Sequence, residues 1–163
     1  MNLNLLVRLH VALVSSIIFA LINSIYIMIM WWDTTYFDDL IYFIGIFIAF
    51  LMYGTPAMIV IGIPFSYLID ILVAKFKFKY KSVFYMTRIS LYAIAGFIGT
   101  WLLVIVLNRG KLNVSIFNEY FPFAISGIVA ALVYFFLLQL ISLVMDKFKQ
   151  VYTTRKESVI RDD

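Results

Sequence analysis

Residues 40–74 read LIYFIGIFIAFLMYGTPAMIVIGIPFSYLIDILVA, thirty-five residues with a single charged side chain, Asp70. As one straight α-helix the stretch would extend about 50 Å, well beyond the roughly 30 Å of bilayer hydrocarbon. It is also too short to hold two spans and a turn. It is therefore read as one span over residues 41–63, after which Pro64 kinks the helix or begins a fresh one that extends to residue 74. Three more apolar blocks lie around it. Leu9–Trp32 has no Asp, Glu, Lys or Arg, Val83–Leu107 has Arg88 near its start, and Phe121–Met145 has no charge. A cleavable signal peptide would have a shorter apolar run followed by a soluble domain. The first block is instead followed by further membrane-length blocks. The expected fold is an all-α integral membrane protein: a four-transmembrane-helix bundle in a single membrane domain. Its spans are predicted near residues 9–31, 41–63, 84–107 and 121–145, with a short cytosolic tail over 147–163 that frays after Gln150.

Composition agrees. Of 163 residues, 64% are hydrophobic and 13% charged, with mean hydropathy +1.01. Soluble domains run nearer 45–50% apolar and about 25% charged, and disordered chains are more polar still. There is no cysteine and one histidine, His10. Disulfides, thiolate metal sites and a histidine cluster within one chain are excluded.

The net charge of +4 divides by face. With the N-terminus inside, the cytosolic set is Arg8, Lys75, Lys77, Lys79, Lys81, Arg88, Lys147, Lys149, Arg155, Lys156 and Arg161. The outer loops hold Arg109 and Lys111 only. The positive-inside rule then predicts N-in, C-in. Trp31, Trp32, Tyr36, Tyr120 and Phe121 fall at the outer boundary, and Phe76, Phe78, Tyr80 and Tyr85 at the inner one, as interfacial aromatics do. The cationic excess thus marks orientation, and nucleic acid is not an expected partner.

The two halves resemble each other. Arg8 and Arg88 open the inbound helices, and Ser66-x-x-x-Asp70 and Ser142-x-x-x-Asp146 close the outbound ones before basic residues. A duplicated two-helix hairpin is one reading; the shared demand for basic residues at inner helix ends is the other. Asp70 and Asp146 sit at the unfavourable end of the helix dipole. Pairing with a cation would repair this, which makes Arg8–Asp70 and Arg88–Asp146 the candidate pairs. A topology-fixing ion pair is favoured over a proton or cation site. Pro56 and Pro64 each remove an N–H and free the carbonyls of Met52 and Val60 if helix runs through them. A packing kink is favoured over a binding or conducting break. Small residues recur at every fourth position: Ala12, Ser16, Ala20 and Ser24, then Ala95/Gly99, Gly96/Thr100, Ser126/Ala130 and Gly127/Ala131. Such faces serve either the bundle or a dimer, and the bundle is favoured. Asn23 and Gln139 are candidates for interhelical hydrogen bonds. Lys75-Phe-Lys-Phe-Lys-Tyr-Lys81 alternates with period two. In extended form it would present Lys75, Lys77, Lys79 and Lys81 to anionic headgroups, with rings on the other side.

No Gly-x-Ser-x-Gly, His-Glu-x-x-His or phosphate loop is present. The middle of every predicted span also lacks Asp, Glu, Lys, Arg and His. No catalytic residue, metal ligand or cofactor is expected, and the chain is read as non-enzymatic.

At Tyr53-Gly-Thr-Pro-Ala and Gly62-Ile-Pro-Phe-Ser-Tyr-Leu-Ile-Asp70, the chain resembles a family of small uncharacterised four-span membrane proteins of Gram-positive bacteria. That family carries a Tyr-Gly-x-Pro-x-Ser-x-x-x-Asp type stretch at the end of its second span. Here the pattern is split over two successive Gly-x-Pro elements. The resemblance covers about 18 residues directly; it implies a plasma-membrane location and assigns no activity. The expected function is that of a non-enzymatic accessory, immunity or regulatory membrane protein, acting on a membrane-protein partner or a second copy. The alternative is a subunit of a small oligomeric transporter or channel built on the proline-broken second span.

Overall fold

The computed structural model describes residues 4–30, 39–76, 78–110 and 114–161. Side chains are described over a narrower set that omits Asp39, Leu107, residues 114–119, Pro122, Asp146 and residues 149–161. Among the described residues all regular structure is helical: α1 (Leu5–Met30), α2 (Asp39–Ala57), a π-helical turn (Met58–Gly62), α3 (Ile63–Ala74), α4 (Lys81–Leu107) and α5 (Val114–Arg161). Four segments are long and apolar enough to cross a membrane: Leu5–Met30, Leu40–Ala74, Lys81–Val106 and Phe123–Met145.

Side-chain pairings fix the order. Ser16 meets Thr55 and Arg8 meets Ser66, so α1 runs antiparallel to α2–α3. Arg88 meets Asp70, and Tyr92 meets Tyr134 and Phe135. Ser126 of α5 reaches Asn23 of α1 and closes the ring. The result is an up-down-up-down bundle in which each span packs on its two ring neighbours. Val11, Phe19, Met58, Ile69, Tyr92, Phe135 and Leu138 lie at its centre.

Small residues decide how close the helices come. Ala12, Ser16, Ala20 and Ser24 are all buried inside the bundle, which is where this stripe of α1 is used. α4 and α5 cross backbone to backbone at Gly96 and Gly127. A Cβ on Gly96 would strike the Gly127 carbonyl and come within 2.7 Å of Ala131 Cβ. A Cβ on Gly127 would strike Thr100 Oγ1.

The second span does not break. Ala57, Gly62 and Ile63 all keep right-handed helical dihedrals, and the Ile63 N–H donates to the Met58 carbonyl five residues back. One turn widens from α to π between the two prolines. This is how a helix absorbs missing donors without exposing backbone to lipid. Pro64 sits in the first turn of α3, where an absent N–H costs least. Of the kink or fresh start expected at Pro64, no fresh start forms: the helix changes type and keeps right-handed dihedrals across Gly62 and Ile63.

Two further differences concern the ends. Residues 151–161, expected to fray, continue α5, which reaches 48 residues and about 72 Å. No Gly or Pro follows Gly127 to stop it. The 75–81 segment is not an extended ladder. Lys75 caps α3 in right-handed geometry, and Phe78 packs edge-on to Phe84 at 5.6 Å. Tyr80 is extended, with φ −122 and ψ 136. At the opposite end α4 closes with Arg109 and Gly110 both at positive φ. Their N–H groups donate to the carbonyls of Val106 and Ile105, a Schellman closure of the helix.

Candidate functional site

The two buried arginines converge on one carboxylate. Arg8 enters at the fourth residue of α1, and Asp70 and Arg88 each at the eighth residue of α3 and α4. Arg8 Nη2 donates to Asp70 Oδ2 at 2.5 Å, and Arg88 Nη2 to Asp70 Oδ1 at 2.7 Å. Each oxygen of one carboxylate therefore holds a guanidinium from a different helix. Both arginine side chains are nearly inaccessible, at 1% and 4% exposure, while that of Asp70 keeps 17%. Charge-assisted bonds of this length are the strong kind, and a buried arginine without them would be prohibitive.

Neighbouring groups extend the site to all four spans. Arg8 Nη1 donates to Ser66 Oγ at 2.6 Å, and that hydroxyl donates to the Ile63 carbonyl at 2.7 Å. Tyr134 of α5 donates to the same Ser66 oxygen at 3.5 Å. The Arg8 guanidinium lies 3.9 Å from the Tyr67 ring centre. Arg88 lies between the rings of Phe84 and Phe135, at 5.6 and 5.7 Å. Rings on both sides exclude water and compensate the lost hydration of the cations through their π faces. Arg88 Nε and the Tyr92 hydroxyl are buried without a hydrogen-bond partner.

Arg8 stands on Asp70 as its depth in the sequence suggests. Arg88, expected on Asp146, stands on Asp70 as well; the Asp146 side chain lies outside the described residues. Depth is readable from a sequence, but the rotation of each helix about its axis is not, and rotation decides which carboxylate an arginine faces. Ser142 is buried like Ser66. The half-to-half likeness nevertheless stops at the second span, where α3 follows a π turn and α5 is α-helical throughout. Pro56 lies inside α2 and Pro64 at the head of α3, on either side of that turn. Lys75, Lys79 and Lys81 are exposed at the α3–α4 corner, and Lys77 lies outside the described residues. His10 bonds to the Leu6 carbonyl of its own helix. Asn23 donates to the Phe19 carbonyl and accepts from Ser126 at 3.4 Å.

Tyr67, Tyr92 and Tyr134 are the members of the site that sequence reasoning passes over. Eleven tyrosines in an apolar chain read as interfacial or core rings. The available signal is that a tyrosine deep in a span needs a partner for its hydroxyl.

No family model, curated protein or solved structure matches this chain.

Proposed function

We propose that the chain is a multi-pass plasma-membrane protein with both termini cytosolic, acting as a non-enzymatic accessory, immunity or regulatory protein through helix contacts. The observation that carries this reading is the commitment of the charges of Arg8, Asp70 and Arg88 to one another. Both oxygens of Asp70 are taken by Arg8 and Arg88. Ser66 joins α1, α3 and α5. The bundle's middle is closed by the Gly96–Gly127 crossing and by Ile61, whose Cγ2 would lie 2.8 Å from a Cβ on Gly99. Such an interior holds helices in place. The chemistry left to the protein is on its outer surface, where large apolar side chains such as Met52, Tyr53, Val60 and Val106 are 69–74% exposed. Orientation is supported by the distribution of basic residues.

The test is purification of the tagged chain from its own membranes in mild detergent. A single stoichiometric partner, displaced by bulky substitutions on the outward face of α2, supports the reading. A partner-free chain that conducts ions in planar bilayers overturns it. One feature favours the transporter or channel-subunit reading: the π turn between Pro56 and Pro64, because π turns recur at functional sites. In that case Pro56→Ala or Pro64→Ala abolishes flux without lowering protein level.

A further inference from the structure

Arg88 is short of negative charge. Among the described residues its guanidinium makes one hydrogen bond, from Nη2 to Asp70 Oδ1 at 2.7 Å. That carboxylate is shared with Arg8, so it compensates Arg88 only in part. The Arg88 side chain is 4% exposed, and water does not screen the remainder. A buried cation left in this state is costly.

Unspent donors lie at the same place. Arg88 Nε and the Tyr92 hydroxyl are buried without a hydrogen-bond partner, and each residue is 3% exposed. Buried polar groups are ordinarily bonded, so two such groups together call for an explanation. The two residues stand four apart on one face of α4. Both pack on the Phe135 ring, the Arg88 guanidinium carbon at 5.7 Å from its centre and the Tyr92 ring at 5.0 Å. Gly96 lies against Ala131 and Tyr92 against Phe135, which fixes an antiparallel register between α4 and α5. Continued toward the start of α4, that register sets Arg88 opposite Gln139 and Lys81 opposite Asp146. Gln139 also buries its Nε2 without a partner. An arginine Nε–H and an amide NH2 can only donate, and a tyrosine hydroxyl is able to. Donors of this kind beside an under-compensated guanidinium call for a negatively charged acceptor. The deficit is at most one charge, which suits a monovalent ion; a phosphate would exceed it.

We propose that Arg88 and Tyr92, with Gln139 opposite, bind one chloride ion on the α4–α5 seam. The ion accepts from Arg88 Nε and the Tyr92 hydroxyl and supplies the charge that Asp70 divides between two arginines. The site goes beyond the accessory role proposed above and does not depend on it. It makes the stability of the bundle respond to halide.

The test uses the full chain in neutral detergent and sodium gluconate, titrated with sodium chloride or bromide at constant ionic strength, with thermal unfolding as readout. Both halides are expected to raise the melting temperature saturably, and sulfate is not. Tyr92→Phe removes a hydroxyl that has no protein partner. It is expected to leave the melting temperature in gluconate unchanged and to weaken the apparent chloride affinity about ten- to hundredfold, the effect of one hydrogen bond to a charged group. Arg88→Gln leaves Asp70 to Arg8 and abolishes the halide response, whereas Asp146→Asn preserves it. Crystals grown in bromide are expected to show an anomalous peak beside Arg88 Nε. A melting temperature indifferent to halide overturns the site, as does an undiminished response in Tyr92→Phe. A response that arises only in Asp146→Asn overturns it too, by making Asp146 the missing counter-charge. Water in place of the bromide peak shows that the donors are merely hydrated, and overturns it equally.

Discussion

Replacing Asp70 by Asn removes one charge from a site that holds two buried guanidiniums. Of the two bonds, at 2.5 and 2.7 Å from Arg8 and Arg88, one is lost outright because an NH2 replaces an oxygen, and the other is left with a neutral acceptor. Hydrogen bonds to charged groups contribute about 1.5–3 kcal/mol each, so the pair contributes about 3–6 kcal/mol. Breaking a buried ion pair from one side costs about 3–5 kcal/mol, because the remaining charge stays buried and unmatched. The two estimates overlap, and Asp70→Asn is expected to destabilise the bundle by about 3–5 kcal/mol. The carboxamide cannot evade this, since its NH2 group would confront a guanidinium. Removing all three charges together is a different perturbation. Arg8→Met, Asp70→Leu and Arg88→Met in one chain keep much of the hydrocarbon packed against Tyr67, Phe84 and Phe135. That variant is expected within about 1–2 kcal/mol of the parent, as complete apolar replacement of buried ion clusters is often neutral. Unfolding titrations in mixed micelles, followed by circular dichroism, measure both. A loss below about 1 kcal/mol for Asp70→Asn would refute the reasoning. A triple variant as unstable as the single one would refute it equally, by showing that the charges themselves are not what the single substitution disturbs.

The remaining predictions concern backbone and topology. Gly127→Ala places a methyl group on Thr100 and the α4 backbone and is expected to cost about 1–3 kcal/mol. Gly45→Ala, where a Cβ meets nothing, is expected to be neutral or to raise stability by up to about 1 kcal/mol; melting temperatures compare the two. Thr55→Val removes the 2.9 Å bond to Ser16 at a cost of roughly 0.6–2 kcal/mol, read by the same assay. Arg109→Gly relieves a left-handed residue at φ 53 and is expected to stabilise the α4 end by about 1 kcal/mol, visible as slower amide exchange at Gly110. A reporter fused after Asp163 is expected to read cytosolic, and an external signal would overturn the proposed orientation.

What the sequence makes legible is what depends on runs and depth. Leu9–Trp32 and Phe121–Met145 mark helices because no charge interrupts them. Arg8 and Asp70 stand at matching depth by simple counting from the ends of the apolar blocks. Features that depend on rotation and accommodation are not legible in this way. Arg88 lies at the depth of two aspartates, and only the packed orientation of α4 turns it to Asp70. Pro56 and Pro64 announce lost hydrogen bonds, but whether a helix breaks, bends or widens depends on what surrounds it; here α1, α4 and α5 all contact the intervening turn. Tyr134 is hidden because burial of a ring and recruitment of its hydroxyl look the same in one dimension.

The π turn at Met58–Gly62 also separates chain length from helical phase. A single surplus residue in an α-helix advances everything beyond it by about 100°. The wide turn absorbs that surplus, so Ser66 and Asp70 keep their bearing toward α1 and α4 although the rod holds one residue more than an α-helix of the same reach. Deletion of one residue there has two outcomes. Either the turn tightens to α geometry and the phase survives, or the wide turn persists and Asp70 swings away from both arginines. Among all positions of the second span, this is the one at which a deletion can be silent.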